Sequence, residues 1–180
     1  GFARFWDAEH NYCYDIIDVP GADGSKTHDG RLRPNQLFAV SLPYSPLPPE
    51  QQKRVVDVCS RHLLTSHGLR TLTRSDPGYI GSYGGNDWQR SAAYHQGTVW
   101  SWLLGPFVEA HLRVYNDLEQ AQTFLVPLFH HLSDYGVGNI ADVFDGDPPF
   151  TPRGCIAKAW SVGEFLRICQ VAFMTMETQK

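Results

Sequence analysis

The chain has 180 residues, 42% of them hydrophobic and 19% charged, with 15 Lys and Arg against 19 Asp and Glu and a net charge of −4. That is one domain or a large piece of one, with enough apolar surface to offset its ordering entropy, which excludes a disordered chain. No Lys/Arg cluster marks a nucleic-acid or polybasic membrane contact, and no apolar run reaches the length of a membrane span, so neither partner is expected. Cys13, Cys59, Cys155 and Cys169 form no Cys-x-x-Cys pair, so no zinc knuckle is expected. Cys59 and Cys169 fall on apolar helical faces and read as reduced, buried thiols.

In chain order, Phe2, Phe5 and Trp6 stand at helical spacing, as if a helix were entered midway, and the chain reads as a piece cut from a longer protein. Tyr12 to Asp18 alternates enough for a short strand, giving a minor β-hairpin near the N-terminus, and Gly21 to Gly30 is a polar loop of turn formers. Pro34 suits the first position of a helix over 35–42, and Pro48 and Pro49 open one over 50–64. Residues 65–93 read as a long ordered loop with Tyr79, Tyr83 and Trp88 in it. Thr98 is placed as the cap of a buried helix over 98–115. Asp117 caps the next, over 117–132, with a kink at Pro127. A second long loop fills 133–157, and a last helix over 159–176 puts Val162, Phe165, Leu166, Cys169, Phe173 and Met176 on one face. Helical hairpins separated by long loops predict an all-α chain, part of a toroid of paired helices whose loops gather at one end.

Three stretches carry groups suited to chemistry. Tyr94, His95, Gln96, Trp100 and Trp102 cluster at the mouth of the helix expected over 98–115. Aromatic faces stack on the C–H face of a pyranose and planar polar groups take pairs of hydroxyls, so this cluster reads as a sugar site. Asp142, Asp145 and Asp147 stand among Ile140, Val143 and Phe144. Acid or base work by one of them is the sharper reading, and a calcium loop without full EF-hand spacing the blander one. Arg31, Arg33, Asn35 and Gln36 put charged forks and two amides at a helix start, which suits polyhydroxyl ligands.

The segments YDIID, RPNQLFAVSLP, LLTSHGLRTL, YHQGTVWSWLLGPF and FDGDPPFTPRGCIAKAWSVGEFLR, in this order, resemble the C-terminal half of the glycogen-debranching amylo-α-1,6-glucosidase family. The resemblance implies an (α/α)6 toroid, of which residues 1–180 would be about half with the upstream half absent. It implies a cytoplasmic enzyme without cofactor or metal that removes α-1,6-linked glucose from branched glucans such as glycogen, with inversion. The family's general base is a Glu; counting back from Ala159-Trp160-Ser161, its place here is held by Asp142. Its general acid is an Asp in a Trp-Met-Asp type motif upstream of YDIID, and this chain has no such motif. The resemblance also counts Arg33, Asn35, Gln36, Tyr94, His95, Gln96, Trp100, Lys158 and Trp160 as substrate-binding. Lys158 stands where relatives often have Gln, and Ser101 where they usually have Pro. The isolated chain is expected to be inactive and to self-associate through an unpaired apolar face. The competing readings are a non-catalytic carbohydrate-binding module and a helical structural domain with a calcium loop.

Overall fold

The structure, a computed structural model, describes residues 1–174; Met176, at the end of the last expected helix, lies outside the described residues. Residues Phe2–Phe5 make one 3-10 turn rather than the tail of a helix. Strand β1 (Trp6–Asp7) pairs with β2 (Tyr12–Cys13), and β3 (Ile16–Pro20) pairs with β4 (Lys26–Asp29), so the stretch expected to be a polar loop supplies a strand. A 3-10 turn Pro34–Leu37, begun by Pro34 as expected, runs into the single turn α1 (Phe38–Ser41). Helix α2 (Pro49–His62) has a Pro at its first position and buries Val55, Val56 and Cys59 on one face.

The segment expected to be a long loop instead contributes β5 (Leu64–Thr65), β6 (Gly68–Arg70) and α3 (Asp87–Ala93). Asn86 and Gln89 start α3 with a reciprocal capping box. Val99 and Trp100 form strand β7, and a 3-10 turn over Ser101–Leu103 precedes α4 (Leu104–Tyr115). Thr98 therefore does not cap a helix; its hydroxyl donates to the Ala93 carbonyl at 2.8 Å. Asn116, left-handed at φ 50°, ends α4. Asp117 then accepts from the Gln120 N–H at 2.9 Å to cap α5 (Leu118–Asp134), which contains Pro127. The second expected loop supplies β8 (Val143–Phe144) and β9 (Pro152–Arg153), and α6 (Ala159–Met174) closes the described chain.

The all-α half-toroid is thus overturned. Strands β5 to β9 form one antiparallel sheet in the order β5-β6-β7-β8-β9, beside the two N-terminal ribbons, and the fold is mixed α and β. The physical reason is that strands this short carry no readable period. They exist because distant segments offer ladder partners, and the sequence around them is rich in Gly, Pro and Asp.

Helix α4 is the hub. It packs on α1, α2, α5 and α6, and its Leu104, Phe107, Val108 and Ala110 are buried with Leu37, Val40, Cys59, Leu125 and Ile168. All four cysteines are free. Burial pushes the Cys13 thiol up to about 11 and raises Cys59 as well, which leaves both protonated and inert. Cys169 is half-buried, not fully so as expected. Among the described residues no helix is long and apolar enough to cross a membrane.

In the turn between β5 and β6, His67 stacks on Phe144 with centroids 4.6 Å apart, shares a 2.8 Å hydrogen bond with Ser66 Oγ and meets His131 edge-on. Burial, with a smaller contribution from His131, holds its pKa down at about 4, against opposition from Asp134. The unfolded chain binds that proton near pH 6.5. The neutral ring therefore contributes stability that is complete above about pH 6.5 and is lost as pH falls toward 4. With the ring half-buried, the loss is on the order of 1–2 kcal/mol. The midpoint of thermal unfolding should fall between pH 7 and pH 4.5, and His67→Phe should flatten that fall; the same slope in both proteins would exclude His67 as its source.

Candidate active site

The aromatic cluster owes its shape to one glycine. Gly97 has φ +133°, and a Cβ there would stand 2.5 Å from the Tyr79 ring and 2.7 Å from the Ile80 carbonyl. The chain can therefore turn sharply between His95 and β7. Tyr94, His95 and Trp100 then form a three-ring wall with centroids 4.9 to 5.0 Å apart. The Trp100 indole N–H donates to the Tyr94 carbonyl at 3.1 Å. Trp102 continues the wall 6.0 Å from Trp100 and reaches Trp160 at 6.1 Å, while Tyr83 flanks Tyr94 at 5.7 Å.

A cleft of about 400 Å³ lies along this wall, lined by Asp15, Arg33, Asn35, His95, Trp100 and Trp102 among others. That is within the usual size of ligand pockets, about 300–1,000 Å³. Arg33 organises it. Its guanidinium donates to the Thr71 and His95 carbonyls and to Gln96 Oε1, and its Nε lies 3.5 Å from Asp15. Asn35 donates to the other Asp15 oxygen at 2.7 Å. Burial and the nearby Arg33 charge lower the His95 pKa, so its ring is neutral at neutral pH. A neutral imidazole offers one donor and one acceptor, which matches a sugar hydroxyl pair.

Asp142 joins the wall through the sheet. Trp100 lies opposite Val143 in the β7–β8 ladder, which places Asp142 one residue from that pair. Its carboxylate is buried and holds the Lys158 ammonium at 3.2 Å. Lys158 is raised by that contact first and sits 5.7 Å over the Trp160 ring. Tyr94 is raised by burial and then by the Asp142 charge. Tyr94, Asp142, Lys158 and Trp160 thus form one polar end of the aromatic wall, and Arg33, Asn35, His95 and Trp100 its cleft.

The neighbouring carboxylates do other work. Asp145 is buried, accepts the Tyr83 N–H at 2.7 Å and takes two hydrogen bonds from Arg153 at 3.0 and 3.1 Å. Asp147 lies 3.0 Å from Arg74 and accepts from Tyr79. Each of the three loop carboxylates has its own cation, and among the described residues no group of three or more His, Cys, Asp or Glu gathers as metal ligands. Gln36 stays out of the cleft: its amide accepts the Cys13 N–H and donates to the Arg33 carbonyl, fixing β2 to the turn over Pro34–Leu37. It lines an adjacent apolar groove with Phe2, Phe5 and Phe38. The Gln96 amide faces Arg33. Trp102, read with the aromatic cluster, lines the cleft as well, and Asp15 and Thr71 line it without having been singled out as site residues. Asp15 had a signal, since it lies inside the YDIID segment.

The family model described as amylo-alpha-1,6-glucosidase matches residues 2–167. A glycogen debranching enzyme of Saccharomyces cerevisiae is 34% identical over 93 residues, which cover 48% of this chain and 6% of that protein. The chain therefore spans a small part of the length of that relative. With the first of these matches running over nearly all of its length, the chain belongs to the amylo-alpha-1,6-glucosidase family of glycogen-debranching glycosidases.

Proposed function

We propose that this chain is the C-terminal part of an inverting α-1,6-glucosidase acting on branched α-glucans, and that it contributes the general base and an aromatic glucose pocket. The observation that carries the reading is a buried carboxylate, Asp142, at the end of a wall of Tyr94, His95 and Trp100. Asp142 takes the proton from a water as that water attacks the anomeric carbon. The leaving oxygen is protonated by an acid upstream of this chain, because both carboxylates act in one transition state. Inverting pairs stand about 6.5–9.5 Å apart to admit the water. An Asp holds its carboxylate back by one C–C bond, about 1.5 Å, and so suits the wide end of that range. Arg33 and His95 bind hydroxyls, and Trp160 offers a further ring at the Lys158 end. Val126, Phe129, Leu166 and Phe173 are exposed on α5 and α6 and are the surface for self-association of the isolated chain.

The experiment is hydrolysis of a branched limit dextrin by the full-length protein, with the first-formed glucose anomer followed by NMR. Inversion of an α-linkage yields β-glucose first. Early α-glucose would replace inversion by retention. Dextrin binding without hydrolysis would favour the carbohydrate-binding module, a reading to which the Lys158 charge on Asp142 lends support by tying up the base.

A further inference from the structure

Three buried side chains converge on the peptide that precedes Asp142. His131, from α5, accepts the Ala141 N–H on Nε2 at 3.2 Å. Ser101, directly after β7, reaches the Ala141 carbonyl at 3.2 Å and the Ser161 hydroxyl of α6 at 2.8 Å. A hydroxyl has one proton, so with Ser101 donating to the carbonyl, Ser161 donates to Ser101. His131, Ser101 and Ser161 are 3%, 2% and 1% exposed, so water does not compete for these bonds. The N–H and the C=O of Ala141 are thereby each held by a side chain from a separate element. Asp142 follows at once, with its own N–H on the Cys155 carbonyl at 2.9 Å. On its far side Gly154, at φ +69°, leaves no room even for a Cβ, which would lie 2.9 Å from that of Asp142.

We propose that His131, Ser101 and Ser161 are positioning residues that aim the Asp142 carboxylate. The inference rests on Asp142 being the base. A general base works only when its oxygen faces the attacking water, and a misplacement of about 1 Å costs on the order of 10²-fold in rate. The shorter Asp arm leaves that placement to the backbone. Removing His131 strands the buried Ala141 N–H and removing Ser101 its C=O, which the loop can satisfy only by moving, while removing Ser161 takes from the Ser101 hydroxyl the bond that orients it toward that carbonyl. The bond to Ala141 also requires an unprotonated Nε2, so the His131 ring is neutral, and burial lowers its pKa in keeping with this, against Asp134. The other groups facing it are the His67 edge, Tyr135 and Phe144.

The test uses the full-length protein and dextrin hydrolysis. Ser101→Ala, Ser161→Ala and His131→Leu should each lower kcat about 10–100-fold with KM within about twofold. His131→Gln, whose Oε1 can accept the same N–H, should recover most of the loss. A rate loss through partial unfolding would look similar in kcat alone, so each substitution is repeated on an Asp142→Asn background. Residues that act only through Asp142 cost nothing further there, whereas a loss of folded protein lowers the residual rate again. Additive losses overturn the proposal, as does full activity of Ser101→Ala and His131→Leu while Asp142→Asn is impaired; in that last case the base assignment stands. Full activity of Asp142→Asn removes the base assignment and the positioning role with it.

Discussion

Asp142→Asn should lower the rate of dextrin hydrolysis by the full-length protein about 10²–10⁴-fold, the usual cost of losing a general base. KM should move little, because Arg33, His95 and the aromatic rings are untouched. The substitution keeps the shape but leaves the Lys158 ammonium without its carboxylate, so the Lys158 pKa should fall at the same time. Asp142→Glu restores the longer arm and should keep or raise activity. Asp147→Asn is the proper control: it shares the loop, and its partly exposed side chain holds Arg74 and Tyr79. Asp145→Asn is not a neutral control. It would weaken the bonds that the buried Asp145 carboxylate accepts from the exposed Arg153 and from the Tyr83 N–H, so its loss of activity should come with a loss of thermal stability. Unchanged kinetics for Asp142→Asn would sink the catalytic assignment of this loop.

Phe107→Ala should cost about 3–5 kcal/mol, the range for emptying a fully buried aromatic site. Phe107 has no exposed surface and stands edge-on to Phe124 at 5.2 Å, on the helix that touches α1, α2, α5 and α6. Four helices cannot close on one cavity at once, so relaxation recovers little. The loss is a large share of the roughly 5–15 kcal/mol that holds an ordinary domain together. Urea unfolding should show the drop as a lower midpoint with an unchanged slope. A loss below about 1 kcal/mol would mean that α4 is not the hub of the core.

Helix α2, the end of α4 and helix α5 could be read from the sequence because they obey rules that act locally. The Pro49 start of α2, the left-handed Asn116, the Asp117 cap and the apolar stripe of α5 each need only a few neighbouring residues. The sheet could not be read this way. Val99 and Trp100 look like the first turn of an apolar helix, and what makes them a strand is Leu69 on one side and Phe144 on the other. A local signal did exist for the true start of α4: Pro106 is tolerated in a first turn and not in the interior of a helix begun at residue 98. In the site, the aromatic wall was legible because its members are adjacent in sequence. The backbone ties of the Gln36 amide were not legible, because an amide that ties down backbone and one that binds hydroxyls look alike in a sequence. The pairing of Lys158 with Asp142 needs the contact between two loop segments, held by Asp142 N–H on Cys155 and Lys158 N–H on the Ile140 carbonyl.

The sheet that sets Trp100 beside Asp142 also sets how the chain comes together in time. Its strands are neighbours in chain order, yet Leu69 waits for Trp100 and Val99 waits for Phe144 across helices α3, α4 and α5. Each such pairing closes a long loop before any contact repays the lost entropy, and high contact order of this kind slows folding from the microseconds of a helical bundle toward milliseconds or longer. On the ribosome, a nascent chain that has emerged as far as α5 holds helices α1 to α5, while the Trp100 strand has its β8 edge bare. The aromatic wall therefore gains its carboxylate only once the stretch through Arg153 and Lys158 has left the exit tunnel.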